Sequence, residues 1–117
     1  MTPRRMPEFM FLLRIDVRRR ILVQLAEAPK STQQIAEALR TPISTIRGNI
    51  KKLEPFGLVI ASRGARSTTY RLADMVTVSH AGDDTILTVD TPDGGMIRIK
   101  QPSSWYGLGS GRRASGH

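Results

Sequence analysis

Apolar residues recur at helical spacing over residues 8–28, where Phe11, Leu12, Ile15, Ile21, Leu22 and Leu25 predict an amphipathic helix that breaks or bends near Asp16. Pro29 and Lys30 end it. Ser31 followed three residues later by Gln34 reads as a capping box, which starts a second helix with Ile35, Ala36 and Leu39 on its buried side. Arg40 and Thr41 form a turn. Thr41-Pro42 then reads as an N-cap with proline at the first helical position, where its missing N–H costs nothing. The third helix runs from Pro42 to about Glu54, with Ile46, Ile50 and Leu53 facing the core. Ile43, Ser44, Thr45, Arg47, Gly48, Lys51 and Lys52 are left on or near the opposite side. Pro55 and Gly57 stop the helix.

The period then changes. Leu58 to Arg63 reads as a strand, Gly64-Ala65-Arg66-Ser67 as a turn and Thr68 to Leu72 as the returning strand. Three runs of alternation follow, MVTVS, TILTVDT and MIRIK, separated by the turn signals of 80–84 and 92–95. The expected fold class is α+β, a winged helix-turn-helix with a C-terminal three-stranded β-meander. Its expected divisions are a flexible basic arm over 1–7, the helix-turn-helix domain over 8–73, the meander over 74–101, and a disordered Gly/Ser-rich tail over 102–117 that holds Trp105 and Tyr106.

Composition narrows the chemistry. A chain of 117 residues is one small domain with at most a modest appendage. Without cysteine there is no disulfide framework and no thiolate nucleophile or metal site. Neither a secretory leader nor an apolar run of about 18 residues is present, so the expectation is a cytoplasmic protein with no membrane partner. The net charge of +8 is unevenly spread: residues 1–73 hold 14 Lys/Arg against 5 Asp/Glu, whereas residues 74–101 hold 2 against 5. The excess coincides with the helix-turn-helix pattern, which points to nucleic acid more strongly than charge alone does.

The segment from Arg18 to Leu72 resembles winged-helix transcription regulators of the ArsR and MarR type. The likeness is carried by Arg19-Arg20-Ile21-Leu22, by Ile35-Ala36-Glu37-Ala38-Leu39, by Ser44-Thr45-Ile46, by Leu53 through Phe56-Gly57-Leu58-Val59, and by Thr69-Tyr70-Arg71-Leu72. It covers about half of the chain and is more specific for fold than for function. It implies a sequence-specific, homodimeric, double-stranded DNA-binding regulator, a repressor, from a prokaryote or one of its viruses or plasmids. Ser44, Thr45, Arg47 and Gly48 are the candidate base readers, with Arg47 first because a guanidinium pairs bidentately with guanine. Lys51 and Lys52 suit phosphates, and Arg63 and Arg66 suit the backbone or the adjacent minor groove. Arg18, Arg19 and Arg20 point in three directions from one helix, so at most one or two of them touch phosphate and the rest are solvated.

The sequence departs from that family pattern in three places. Arg40 stands where such regulators place glycine in the turn. Gly48 lies inside the reader helix, weakening it by ~1 kcal/mol relative to alanine. The thiolates through which many ArsR-type proteins sense metals are absent, which excludes that route.

Other readings stay open at this level. The same reader serves replication, partition and architectural proteins, and a winged helix also serves as a protein-interaction module. The apolar face of the meander needs a cover, either the winged-helix core or a dimer partner. Catalysis finds no constellation: His80 and His117 lack a nearby nucleophile, and Asp83, Asp84, Asp90 and Asp93 sit at turns without calcium-loop spacing. The expectation is therefore no enzyme, no cofactor and no metal, with any small-molecule effector unknown.

Overall fold

The computed structural model describes residues 4–107. Helices α1 (Met6–Leu12), α2 (Asp16–Glu27), α3 (Thr32–Leu39) and α4 (Ile43–Leu53) are accompanied by six strands, β1 (Lys30–Ser31) between α2 and α3, and then β2 (Val59–Arg63), β3 (Thr68–Leu72), β4 (Val76–Ala81), β5 (Asp84–Asp90) and β6 (Met96–Pro102) after α4. Short 3-10 turns follow α4 at Glu54–Phe56 and β6 at Ser103–Tyr106. The strands form two antiparallel sheets, ordered β1-β3-β2 and β4-β5-β6.

The long first helix expected over 8–28 is two helices, with the break at Leu13-Arg14-Ile15 just before Asp16. Arginine side chains close it: Arg18 Nη1 donates to the Leu12 carbonyl at 3.1 Å, and Arg19 Nη1 to that of Leu13. These satisfy carbonyls that a helix end leaves without partners. The break also changes which residues are buried. Phe9 and Leu13 enter the core, while Phe11 (72% exposed) and Ile15 (45%), expected on the packed face, point outward. Arg4 and Arg5 are not a loose arm, because α1 begins at Met6 and Arg4 lies over the Phe56 ring at 4.2 Å. Residues 1–3 of the expected arm lie outside the described residues.

One apolar core joins both sheets to the helices. Ile21, Leu22 and Leu25 of α2, Ile35 of α3 and Ile46, Ile50 and Leu53 of α4 meet Leu58 and Val59 and, from the meander, Val76, Leu87, Val89 and Ile97. The apolar face of the meander packs in the same cluster as the helices. Burying each such side chain contributes ~1.5–3 kcal/mol relative to exposure. Phe9 packs edge-on against Phe56 at 5.0 Å, anchoring α1 to the end of α4. At the opposite end of α1, Met6 N donates to Asp93 Oδ2 at 3.0 Å. Hydrogen bonds from Thr91 and from Met6 hold the Asp93 carboxyl below its ordinary range.

The chain beyond β6 differs from the expected disordered tail. Ser103–Tyr106 folds back on α2, where Trp105 lies under the Arg20 guanidinium at 4.1 Å and that of Arg19 at 5.2 Å. Tyr106 is buried beside Val23 and donates to Gln101 Oε1 at 2.9 Å. The cation–aromatic contacts and the buried phenol supply what a Gly/Ser-rich composition conceals. Residues 108–117 of the expected tail lie outside the described residues.

Candidate nucleic-acid interface

The helix-turn-helix is built from local chemistry. Ser31 Oγ accepts from Gln34 N at 3.2 Å, and Ser31 N donates to Gln34 Oε1 at 2.8 Å, so the expected capping box starts α3. Arg40 ends it in the left-handed conformation, at φ 52°, and its N–H bonds back into the helix. This is the backbone for which glycine is suited, and an L side chain there is strained. Thr41 is not the N-cap of α4: its hydroxyl turns back to the Leu39 carbonyl at 3.0 Å, and Pro42 occupies the cap with extended ψ of 139°.

Ile46, Ile50 and Leu53 of α4 are buried, which directs Ser44, Gly48, Lys51 and Lys52 away from the core. Ser44, Thr45, Arg47, Gly48, Lys51 and Lys52 are all exposed. Beside this helix the β2–β3 hairpin pairs Arg63 with Thr68 and closes with Gly64 N donating to Ser67 O at 2.8 Å, leaving Ala65 and Arg66 at its tip. Between α4, the start of α3 and the hairpin runs a groove of about 500 Å³. Arg47, Lys51, Arg63 and Arg66 all line it, together with Glu54, Ile43, Ile50 and Tyr70. Ser44, Thr45, Gly48 and Lys52 lie outside that groove.

The cations divide by partner. Arg4, Arg19, Lys30 and Lys100 pair with carboxylates, and Arg18, Arg19 and Arg20 brace α2 against its neighbours. The triple arginine is therefore half-buried against neighbouring elements and does not line the groove. Arg47, Lys51, Lys52, Arg63 and Arg66 make no ion pair or side-chain hydrogen bond among the described residues. Four unpaired cations against one carboxylate, Glu54, leave the concavity net positive.

Two supporting features escaped the sequence. Asn49 accepts from Arg18 Nε at 2.9 Å and donates to Thr45 O at 2.8 Å, tying α4 to α2. Ser31, Thr32 and Gln33 line the groove from the start of α3. The second was findable, since the capping box already located that helix end; the first needed the distance between α2 and α4. Among the described residues no group of His, Asp and Glu is arranged to hold a metal ion. No helix among them is long and apolar enough to cross a membrane.

A helix-turn-helix followed by a two-stranded hairpin beside its second helix defines a winged helix-turn-helix domain, here extended by a meander. Residues 7–87 match the family described as "Methanogenesis regulatory protein FilR1, N-terminal domain", and the chain belongs to that family. Over 86 residues it is 33% identical to the HTH-type transcriptional repressor SmtB of Mycobacterium tuberculosis, covering 68% of this chain and 64% of that protein, so it spans a little under two thirds of that relative's length. The same figures hold for the protein from a second strain. Among solved structures it is similar to the homodimeric winged helix-turn-helix DNA-binding domain of Mb0332 from Mycobacterium bovis, described as a possible ArsR-family transcriptional regulator. That likeness has a TM-score of 0.50 and 26% identity, over 62% of this chain and 76% of that one. The resemblance to the ArsR type therefore rests on both sequence and fold.

Proposed function

We propose that this protein is a sequence-specific double-stranded DNA-binding transcriptional regulator, acting as a repressor in the cytoplasm. The observation that carries the reading is the convergence of Arg47, Lys51, Arg63 and Arg66 on one groove with no ion-pair or side-chain hydrogen-bond partner for any of them among the described residues. A major groove about 12 Å wide admits one helix, and α4 presents its side opposite the core for that purpose. Ser44, Thr45, Arg47 and Gly48 then meet base edges, Lys51 and Lys52 meet phosphates, and Arg63 and Arg66 grip the backbone or the minor groove. The strand between the two grooves would run past the basic concavity.

The working unit is a homodimer. The similar domain from Mycobacterium bovis is homodimeric, and this chain exposes Met10, Phe11 and Ile15 at and just after the end of α1, apolar residues available to a second copy. Two readers match a palindromic or repeated site. The reading assigns the chain no catalysed reaction.

A mobility-shift titration tests it, comparing the duplex upstream of the protein's own gene with a scrambled duplex at physiological salt. The reading expects retention of the first at concentrations that leave the second free. Equal binding to both would favour an architectural role, and no binding to either would favour a protein-interaction module.

A further inference from the structure

Gly48 occupies the interior of α4, a helix of 11 residues. Glycine is the poorest helix former after proline, since it forfeits backbone entropy and packs no side chain. Nothing in the described chain requires it there. Its φ is not among the positive values, which belong to Gly57, Gly82, Gly94, Gly107 and Arg40. A Cβ built on Gly48 meets no atom within 4 Å. Gly95 shows the opposite case, because a Cβ on it would lie 2.8 Å from both Met6 Sδ and Thr91 Oγ1. The folded chain leaves position 48 open to alanine, yet holds glycine.

The surroundings indicate what approaches. Ser44 lies one turn before Gly48 and Lys51 and Lys52 one turn after, all exposed, and Arg47 adjoins it at the edge of the basic groove. A partner that reaches such a surface is a polyanion. A polyanion with a groove that takes a helix presents base edges, not phosphates, to the part of the helix inserted deepest.

We infer that Gly48 is the point of closest approach between α4 and the base pairs, where the helix backbone itself rests against base edges, and that sequence discrimination depends on the missing Cβ. This rests on the DNA-binding reading above. A methyl group stands about 1.5 Å out from Cα and would lift the helix by a comparable distance. Hydrogen bonds from Arg47 to a base are short and directional, so that displacement breaks them. Lys52 and Arg66 reach phosphates on long flexible stems and follow the shift. Discrimination is lost while general attraction survives.

The test uses the duplex most enriched by the wild-type protein from a randomised pool, and a shuffled duplex of equal length and composition. Fluorescence anisotropy gives Kd for wild type, Gly48→Ala and Gly48→Ser, with a thermal melt of each protein. The inference expects Gly48→Ala to melt no lower than wild type, to bind the enriched duplex at least tenfold more weakly, and to bind the shuffled duplex within twofold of wild type. Gly48→Ser behaves likewise on both duplexes. Binding of the enriched duplex within twofold of wild type by both variants overturns it, as does equal weakening on the two duplexes. A wild-type protein that enriches no sequence overturns the DNA reading itself, and does so before any substitution is made.

Discussion

Arg18 Nε donates to Asn49 Oδ1 at 2.9 Å, so the first turn of α2 holds the middle of α4. The same guanidinium closes the end of α1 through the Leu12 carbonyl, and Asn49 Nδ2 donates to Thr45 O. One half-buried network thus fixes three helices relative to one another. Asn49→Ala leaves the Arg18 Nε–H without its acceptor, and loss of a hydrogen bond to a charged group costs roughly 1.5–3 kcal/mol. Urea unfolding is expected to show a destabilisation at the lower end of that range, with duplex discrimination reduced because α4 is held less firmly.

Arg40 carries the opposite conflict to Gly48. At φ 52° it adopts the left-handed backbone without glycine's freedom, and it is exposed. Arg40→Gly is expected to raise stability by about 1 kcal/mol in denaturant unfolding, as the left-handed strain of an L residue is ~1–2 kcal/mol and glycine's greater unfolded-state entropy offsets part of it. No gain would mean that the Arg40 side chain makes up the strain locally.

The C-terminal turn supplies a pH-dependent contribution. Burial pushes the Tyr106 phenol above its ordinary value of 10.0, opposed by the nearby Arg19 charge. A phenol whose pKa is higher folded than unfolded stabilises the fold fully below pH 10 and loses that contribution as pH rises through the folded value. Stability followed from pH 8 to 11 should therefore fall more steeply in wild type than in Tyr106→Phe. Trp105, the only tryptophan in the chain, reports the same segment by fluorescence. Parallel curves for the two proteins would remove Tyr106 from the account.

The groove residues should separate by role. Arg47→Ala is expected to relax sequence preference by ~1–3 kcal/mol, while Arg66→Ala weakens all duplexes about evenly and lowers the salt slope by about 1. Anisotropy with enriched and shuffled duplexes distinguishes them. Two variants that bind like wild type would remove this face from the interface.

The helix-turn-helix was readable because its signals are local. Ser31 with Gln34, the Ile46–Ile50–Leu53 period and the Pro55–Gly57 stop each lie within one turn or two of what they control, and all three appear where the pattern placed them. The exposed cations of α4 and the hairpin were readable for the same reason. What stayed hidden depends on residues far apart in the chain. Phe11 and Ile15 fit the helical period, but the break at 13–15, held by Arg18 and Arg19, turns them outward. Trp105 docks on Arg19 and Arg20, more than 80 positions away, and no composition of the tail announces that. Likewise the two-residue strand β1 exists only through its pairing with Thr69 and Tyr70.

On the proposed reading, Arg47, Lys51, Arg63 and Arg66 form one phosphate-facing and base-facing surface. The most direct test of that reading is the salt dependence of duplex affinity for wild type and for the variant carrying Arg47→Gln, Lys51→Gln, Arg63→Gln and Arg66→Gln together. Each phosphate contact contributes about 0.9 to the slope of log K against log salt. The account predicts a slope shallower by roughly 2–4 in the variant, with the fold intact by circular dichroism. An unchanged slope in a folded variant would contradict it.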